Sequence, residues 1–214
     1  MAQDWFRKSS WTQHDQNDFR SHLARAKGDN RPQYLRIQAG TLMASTPDLL
    51  PAAIELLDEM LRSYPDSLEV ATALAQKANC LYRLGDTDGA VSTYAASVHR
   101  MRSHPKMLSQ DGWINFALIV AKEGIASKYA EAIAVLDEFA SASPLLLPND
   151  HFRIHAAKAL IALDENQLDL ARTHAKRALE AAEQRDSGLP YHASVGLVGH
   201  NADALNNRLQ EIAA

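Results

Sequence analysis

Three histidines have the residue type and spacing of candidate metal ligands. His151 and His155 lie one turn apart on one face of a predicted helix, and His174 falls near the facing segment of the next helix. Three imidazoles can bind zinc. However, the His-x-x-x-His spacing lacks the glutamate of a zinc-protease motif, and neither a cysteine nor an acidic triad accompanies it. We therefore predict no metal and no cofactor, and interpret the histidines as helix-start and interhelix packing residues, with Asp150 as an N-cap.

Cys80 is the second candidate for chemistry, as a nucleophile. It is the only cysteine, so an internal disulfide is excluded. No sequence signal indicates a base paired with the thiol, and we predict a small buried side chain instead. The chain also has no Gly-rich phosphate loop, no Gly-x-Ser-x-Gly elbow and no dinucleotide-binding fingerprint. These observations favour a protein that is not an enzyme.

The elements that position these residues are amphipathic helices, and the clearest unit is Leu74–Tyr94. Its pattern predicts a helix, a tight turn at residues 84–86 and a second helix. Ala78 and Ala90 lie twelve residues apart, which lets two antiparallel helices approach closely. Tyr94 follows Ala90 by one turn on the same face.

This pattern recurs in four predicted helix pairs. The inward alanine of each second helix is separated from the next by 37, 42 and 39 residues, at Ala53, Ala90, Ala132 and Ala171. Besides Leu74–Tyr94, the predicted helices are Pro32–Ser45 with Asp48–Ser63, Gln110–Gly124 with Ser127–Ala140, and Asp150–Asp164 with Leu168–Gln184. Thr46 or Asp48 is expected to cap the second helix of the first pair. Only the second pair has a Leu-Gly-Asp turn, and the fourth has residues 163–166 in its place.

The combination of small residue, aromatic residue, Leu-Gly-Asp turn and paired alanines resembles a tetratricopeptide repeat (TPR). The opening DWFR, Trp11 and QYLRIQA at 33–39, with later segments around residues 151–157 and 187–198, resemble a group of bacterial TPR-like proteins. The resemblance implies an all-α, right-handed α–α superhelix, a TPR-like solenoid of about four helix pairs plus terminal capping helices. It also implies a scaffold for protein–protein contact, but no activity.

We predict a single domain over residues 1–214. It would consist of an N-terminal cap and first helix (1–31), four helix pairs (32–186) and a C-terminal cap (187–214). Trp5, Phe6 and Trp11 are expected either to cover the apolar end of the first pair or to act as a hook for a partner.

In TPR-like arrays the first helices line a concave groove, and extending the register places polar side chains there. The predicted peptide-binding residues are Gln38, Gln76, Asn79, Tyr82, Arg83, Asn115 and Arg153. Amides, a tyrosine and two arginines suit the main chain of an extended peptide. Asn79 and Arg153 also match two positions of the clamp with which some TPR proteins bind a C-terminal carboxylate. Ala75, Leu118 and Ala157 do not match that clamp, so a general peptide groove is favoured.

Composition and charge narrow the choice of partner. The net charge of −4 and pI of about 6.1 argue against a nucleic-acid partner. No apolar run approaches the ~20 residues of a membrane helix, and the first residues lack the apolar core of a signal peptide. We therefore expect a cytoplasmic protein that binds neither nucleic acid nor membrane.

These observations leave three functional hypotheses. The leading one is a non-catalytic scaffold that binds a protein or peptide segment in the groove. The alternative is a structural or regulatory homodimer that associates through its end caps. The third, a small-ligand or metal-dependent enzyme, requires a closed pocket with convergent titratable groups.

Overall fold

The computed structural model describes residues 4–104, 110–143, 145–199 and 202–214, and every regular element in those ranges is a helix. The all-α prediction is confirmed. The α-helices are α1 Gln13–Arg25, α2 Arg31–Ser45, α3 Leu50–Ser63, α4 Val70–Arg83, α5 Thr87–Ser103, α6 Gln110–Lys122, α7 Tyr129–Ala142, α8 Pro148–Asp164, α9 Leu168–Ala182 and α10 Asp203–Ala213. Short 3-10 turns precede α2, α3 and α7. A search of the described helices finds none with the length and apolar character needed to cross a membrane.

The chain divides into two compact units, Met1–Gly112 and Trp113–Ala214. In the first unit α2 packs on α3, α3 on α4 and α4 on α5, and α2 also contacts α4. In the second unit α8 contacts α7, α9 and α10, and α9 contacts α10. The helices of these contacts are therefore close to one another in sequence as well as in space. A single domain over 1–214 stays a prediction.

The predicted alanine register is confirmed. Ala53, Ala90, Ala132 and Ala171 are each at most 1% exposed. The residues one turn later are buried as well: Leu57, Tyr94, Leu136 and Ala175. A methyl side chain at the crossing point lets two helix backbones approach without a gap or a clash. The small residues therefore mark where the helices of a pair pack together.

A lysine–aspartate contact recurs at equivalent positions in the two units. In the first, Lys77 Nζ on α4 lies 2.6 Å from Asp58 Oδ1 on α3. In the second, Lys158 Nζ on α8 lies 2.5 Å from Asp137 Oδ1 on α7. Each lysine lies 13 residues before the inward alanine of its own pair. Each aspartate lies five residues after the inward alanine of the pair before it. Each contact therefore joins the first helix of one predicted pair to the second helix of the pair before it.

The turn between α4 and α5 forms as predicted. Gly85 has φ +87°, where a Cβ is strained, and the Asp86 N–H reaches back to the Leu81 carbonyl at 3.0 Å. The Asp86 carboxylate then caps α5 by accepting from the Gly89 N–H at 2.9 Å. In the fourth pair, Asn166 takes the place of Gly85, with φ +61°. Asparagine tolerates this conformation, so α8 ends without a Leu-Gly-Asp triplet.

Two predicted helix starts are wrong. Residues 47–49 form a 3-10 turn, and α3 begins at Leu50 with no side-chain cap from Thr46 or Asp48. α8 begins at Pro148, which suits the first helical position because proline lacks an N–H. Asp150 is consequently the third residue of α8 and not its N-cap. Its carboxylate accepts a hydrogen bond from the Leu147 N–H at 3.0 Å.

The N-terminal aromatic residues pack on the core of the first unit. The Trp5 and Phe6 rings lie 4.7 and 4.8 Å from the Tyr34 ring on α2. The Trp11 ring lies 5.5 Å from that of Phe19, which is fully buried. These rings occupy the position expected for a cap over the first pair.

Candidate functional site

The two helices that were predicted to line the groove in the first unit, α2 and α4, run side by side in the same direction. Near their starts the Arg36 guanidinium pairs with the Glu69 carboxylate. Farther along both helices, Gln76 Nε2 lies only 2.9 Å from where a Cβ at Gly40 would be. The missing side chain at Gly40 therefore lets the Gln76 amide lie against the α2 backbone. Polar side chains of α4 therefore lie beside α2 along one side of the two helices.

Arg83 contacts the end of α2. Its Nη1 donates to the Met43 carbonyl oxygen at 2.6 Å. That carbonyl is one of the last four of α2, which lack an N–H partner within their own helix. The residue as a whole is still exposed. The guanidinium of Arg83 therefore joins α4 to α2, and its role as a peptide ligand stays a prediction.

Gln38 is placed differently from its prediction. It is fully buried, and its side-chain amide bonds both polar atoms of the Lys8 main chain. The Lys8 N–H donates to Gln38 Oε1 at 2.9 Å, and Gln38 Nε2 donates to the Lys8 carbonyl at 2.7 Å. The prediction that Gln38 contacts a peptide in the groove is therefore corrected: it holds the N-terminal segment on α2.

Gln76, Asn79 and Tyr82 form the remaining candidate surface in the first unit. All three lie on α4 and are partly exposed, at a spacing of three residues that keeps them on one face. Gln76 Oε1 is buried and accepts no hydrogen bond from the described residues. We call Gln76, Asn79 and Tyr82 the α4 face. Two amides and a phenol can bind the donors and acceptors of a peptide main chain.

The second unit brings together its two predicted site residues. Arg153 on α8 donates a hydrogen bond to the Asn115 side-chain oxygen on α6. Both side chains are partly exposed. Because α6 and α8 are the first helices of their predicted pairs, this contact parallels that of α2 with α4. The two sets of residues belong to different units.

The candidate metal ligands form a histidine pair. His155 Nδ1 on α8 lies 3.1 Å from His174 Nδ1 on α9, and the His151 ring is 6.4 Å from that of His155. Burial lowers the pKa of His155 to about 4, with His174, Arg177 and Lys158 acting in the same direction. Burial, followed by Lys158 and Arg177, also lowers the pKa of His174. No group of three His, Cys, Asp or Glu side chains suited to a metal occurs in the part of the chain that the structure describes.

Cys80 is fully buried, and burial raises the pKa of its thiol to about 11. The thiol therefore stays protonated near neutral pH, where a nucleophile would need to be a thiolate. This position matches the predicted small buried side chain.

The sequence analysis missed an open cleft of about 640 Å³ in the second unit. Tyr129 at the start of α7 and Asp164 at the end of α8 lie in its wall, with the phenol donating to the carboxylate at 2.6 Å. Burial, and then the bond to Asp164, raises the pKa of Tyr129 to about 12. Lys122 and Arg208 lie at the edge of this cleft and are exposed. No sequence signal links residues 35 apart on two helices, so only the structure could find this pair.

A cleft of larger volume, about 750 Å³, lies between the turns that precede α2 and α4, away from the predicted site residues.

Comparison with known proteins adds no functional assignment. The sequence matches no protein-family model, and no curated protein is significantly similar to it.

Proposed function

We propose that this protein is a non-catalytic, TPR-like interaction module that acts in the cytoplasm and binds a peptide or protein segment on the α4 face. The observation that carries the proposal is the side-by-side, parallel arrangement of α2 and α4, the first helices of successive predicted pairs. In a TPR-like solenoid, first helices are stacked in this way and line the concave surface.

The repeated lysine–aspartate contact supports a repeat architecture. Lys77 with Asp58 and Lys158 with Asp137 join successive pairs at the same point of the register. Stacked repeats use the same two helix surfaces at successive junctions, so a contact that recurs at the same register position is typical of them. The four buried alanines show the same regularity within the pairs.

The α4 face supports peptide binding by its chemistry. Gln76 and Asn79 carry amides that can pair with a peptide N–H or C=O, and Tyr82 offers a rigid ring with a polar end. Because Gly40 has no side chain, the Gln76 amide lies against the α2 backbone and is held between α2 and α4. The proposed ligand is an extended segment that uses its main chain, and recognition does not require a charge on that segment.

A peptide library displayed on phage, selected against the full-length protein, tests this proposal. Peptides that are selected with the wild-type protein should bind at least about tenfold more weakly to the double variant Asn79→Ala, Tyr82→Ala. The reason is that a few contacts carry most of the binding energy of an interface. His99→Ala, an exposed change on α5, is the matched control and should bind as wild type. Unchanged affinity in the double variant, with circular dichroism showing both proteins folded, would refute binding on the α4 face.

Exposed apolar side chains in the second unit favour self-association as a second candidate function. Leu145 and Val195 are each about half exposed, and the segments that contain them are joined by a hydrogen bond from the Asn149 N–H to the Gly196 carbonyl at 2.8 Å. Exposed apolar side chains can mark an interface. Light scattering across a concentration series should show a dimer that Leu145→Ser with Val195→Ser converts to monomer. A wild-type monomer at every concentration would remove this candidate.

A further inference from the structure

His155 and His174 join α8 to α9 through a hydrogen bond between two imidazoles. The Nδ1 atoms lie 3.1 Å apart, whereas the ring centroids are 5.2 Å apart and the ring planes differ by 22°. Because the centroids are much farther apart than the nitrogens, the rings meet edge to edge. One Nδ1 must carry a hydrogen and the other must offer its lone pair. The bond therefore fixes a different tautomer on each ring.

Charged groups from each helix packed around the pair make the site unfavourable for added positive charge. Lys158 on α8 and Arg177 on α9 are cations close enough to act on both rings. Asp137 on α7 opposes them at His174, but its carboxylate is bound by Lys158 Nζ at 2.5 Å.

Two further groups lie beside the pair. His151 acts weakly on His155 from the preceding turn of α8. Glu165 lines a cavity of about 110 Å³ that also contacts His174 and Lys158. Lys158 and Asp137 are paired with each other, so Arg177 and Glu165 are the remaining cation and anion near the rings, and burial is the main cause that disfavours a charged imidazole.

Protonation of the pair has two steps with different effects. The first proton goes to the Nε2 of the ring that donates, which forms an imidazolium in a half-buried site next to Lys158 and Arg177. The second proton takes the lone pair of the acceptor Nδ1, which breaks the hydrogen bond and places two N–H groups face to face. Each step costs free energy in the folded state that it does not cost in the unfolded chain.

We propose that His155 and His174 form a pH-sensitive latch, which holds α9 and the C-terminal helix α10 on α8 when both rings are neutral and releases them when the pair takes up protons. α10 packs on both α8 and α9, so separation of these two helices would remove contacts that hold α10 in place. The latch lies outside the α4 face, so it is independent of the peptide-binding proposal.

The sign of the pH effect follows from proton uptake. The ordinary pKa of histidine, about 6.5, applies to the unfolded chain, and both folded-state values are lower. Below pH 6.5 the unfolded chain consequently binds more protons than the folded one. Stability contributed by the neutral pair is fully present above pH 6.5 and is lost as the pH falls toward 4.

Thermal unfolding of the full chain at a series of pH values between 7 and 5 tests the latch. The Tm of wild-type protein should fall by about 2–4 °C more than the Tm of His155→Gln or His174→Gln over this range. His151→Gln removes an exposed imidazole of the same helix and should keep the wild-type pH profile. An identical pH dependence in wild type and both latch variants would overturn the proposal.

A measurement on the wild-type protein alone covers the case in which a latch variant does not fold. Backbone amides of α9 and α10 should exchange with solvent at least severalfold faster at pH 5 than at pH 7, after correction for the intrinsic exchange rate, whereas those of α2 and α3 should not. NMR titration should also show both imidazoles protonating below the ordinary range. Normal titration of both rings, or uniform exchange across all helices, would refute the latch.

Discussion

The Nη1 atom of Arg83 lies 2.6 Å from the carbonyl oxygen of Met43, so a side chain of α4 donates a hydrogen bond to one of the last carbonyl groups of α2. We predict that Arg83→Ala lowers the free energy of unfolding by roughly 0.5–1 kcal/mol. This magnitude is at the low end for a charged hydrogen bond because Arg83 is exposed. Urea denaturation measures the change. If Arg83→Ala unfolds at the wild-type urea concentration, the contact contributes nothing to stability.

Ala90 tests the packing of α5 against its partner helix. The residue is fully buried, so Ala90→Leu forces extra volume into a close-packed crossing and should destabilise the protein by roughly 1–3 kcal/mol. Ala96→Leu makes the same change at an exposed position of the same helix and should be close to neutral. Equal melting curves for the two variants would contradict the packing of α4 and α5.

Gln38 tests the attachment of the N-terminal segment. Gln38→Leu keeps a similar volume but leaves the Lys8 N–H and C=O without their partners, which should cost roughly 1–3 kcal/mol. The aromatic rings that precede Lys8 should become wetter at the same time. Tryptophan fluorescence in a Trp113→Phe background reports this as a red shift. A stable Gln38→Leu protein with an unshifted spectrum would show that the segment is held by its rings alone.

Gly85 tests the turn between α4 and α5. Gly85→Ala places a Cβ at φ +87° and should destabilise by about 1–2 kcal/mol. Gly28→Ala is the control, because a Cβ there meets no atom within 4 Å and its φ is ordinary. Asn166→Gly, at φ +61°, should be neutral or mildly stabilising. Thermal melting of the three variants should rank Gly85→Ala lowest, and any other order would conflict with the turn geometry.

Tyr129 gives the protein a pH dependence on the alkaline side. Its folded-state pKa is raised to about 12 from the ordinary value of about 10. The stability that the neutral phenol contributes is therefore fully present below pH 10 and is lost as the pH rises through 12. Tyr129→Phe should flatten the fall in Tm between pH 9 and 11, whereas Tyr64→Phe should not. The same slope in both variants would show that ionisation of Tyr129 does not matter for stability.

The helical elements could be predicted because their signals are local. The inward alanines, the apolar residues one turn later and the Gly85 turn are all set by residues within a few positions of one another. The predicted starts of α3 and α8 are wrong because Pro51 and Pro148 lie in the first turns of these helices, where each helix begins after a leucine that has no capping side chain. The end of α8 at Asp164 is as predicted, and Asn166 then adopts the positive φ that Gly85 adopts after α4.

For the predicted site residues, the sequence indicates the helix face on which each lies but not which other segment covers it. The position of Gln76, Asn79 and Tyr82 along one face of α4 follows from helical periodicity, and their contact with a peptide stays a prediction. The sequence could not show that Gln38 is covered by Lys8, which lies 30 residues away. A polar residue on a helix face has the same local pattern whether water or another segment lies over it.

The amino-acid sequence by itself therefore determined which segments are helical and which small residues lie between them, since helix formation and the apolar stripe depend on neighbours along the chain. Tertiary structure decided which polar groups meet: the Arg83 side chain with the Met43 carbonyl, Tyr129 with Asp164, and His155 with His174. Each of these contacts depends on how far one helix is shifted and rotated against another. That shift is set by the packing of the whole interface, so no single segment encodes it.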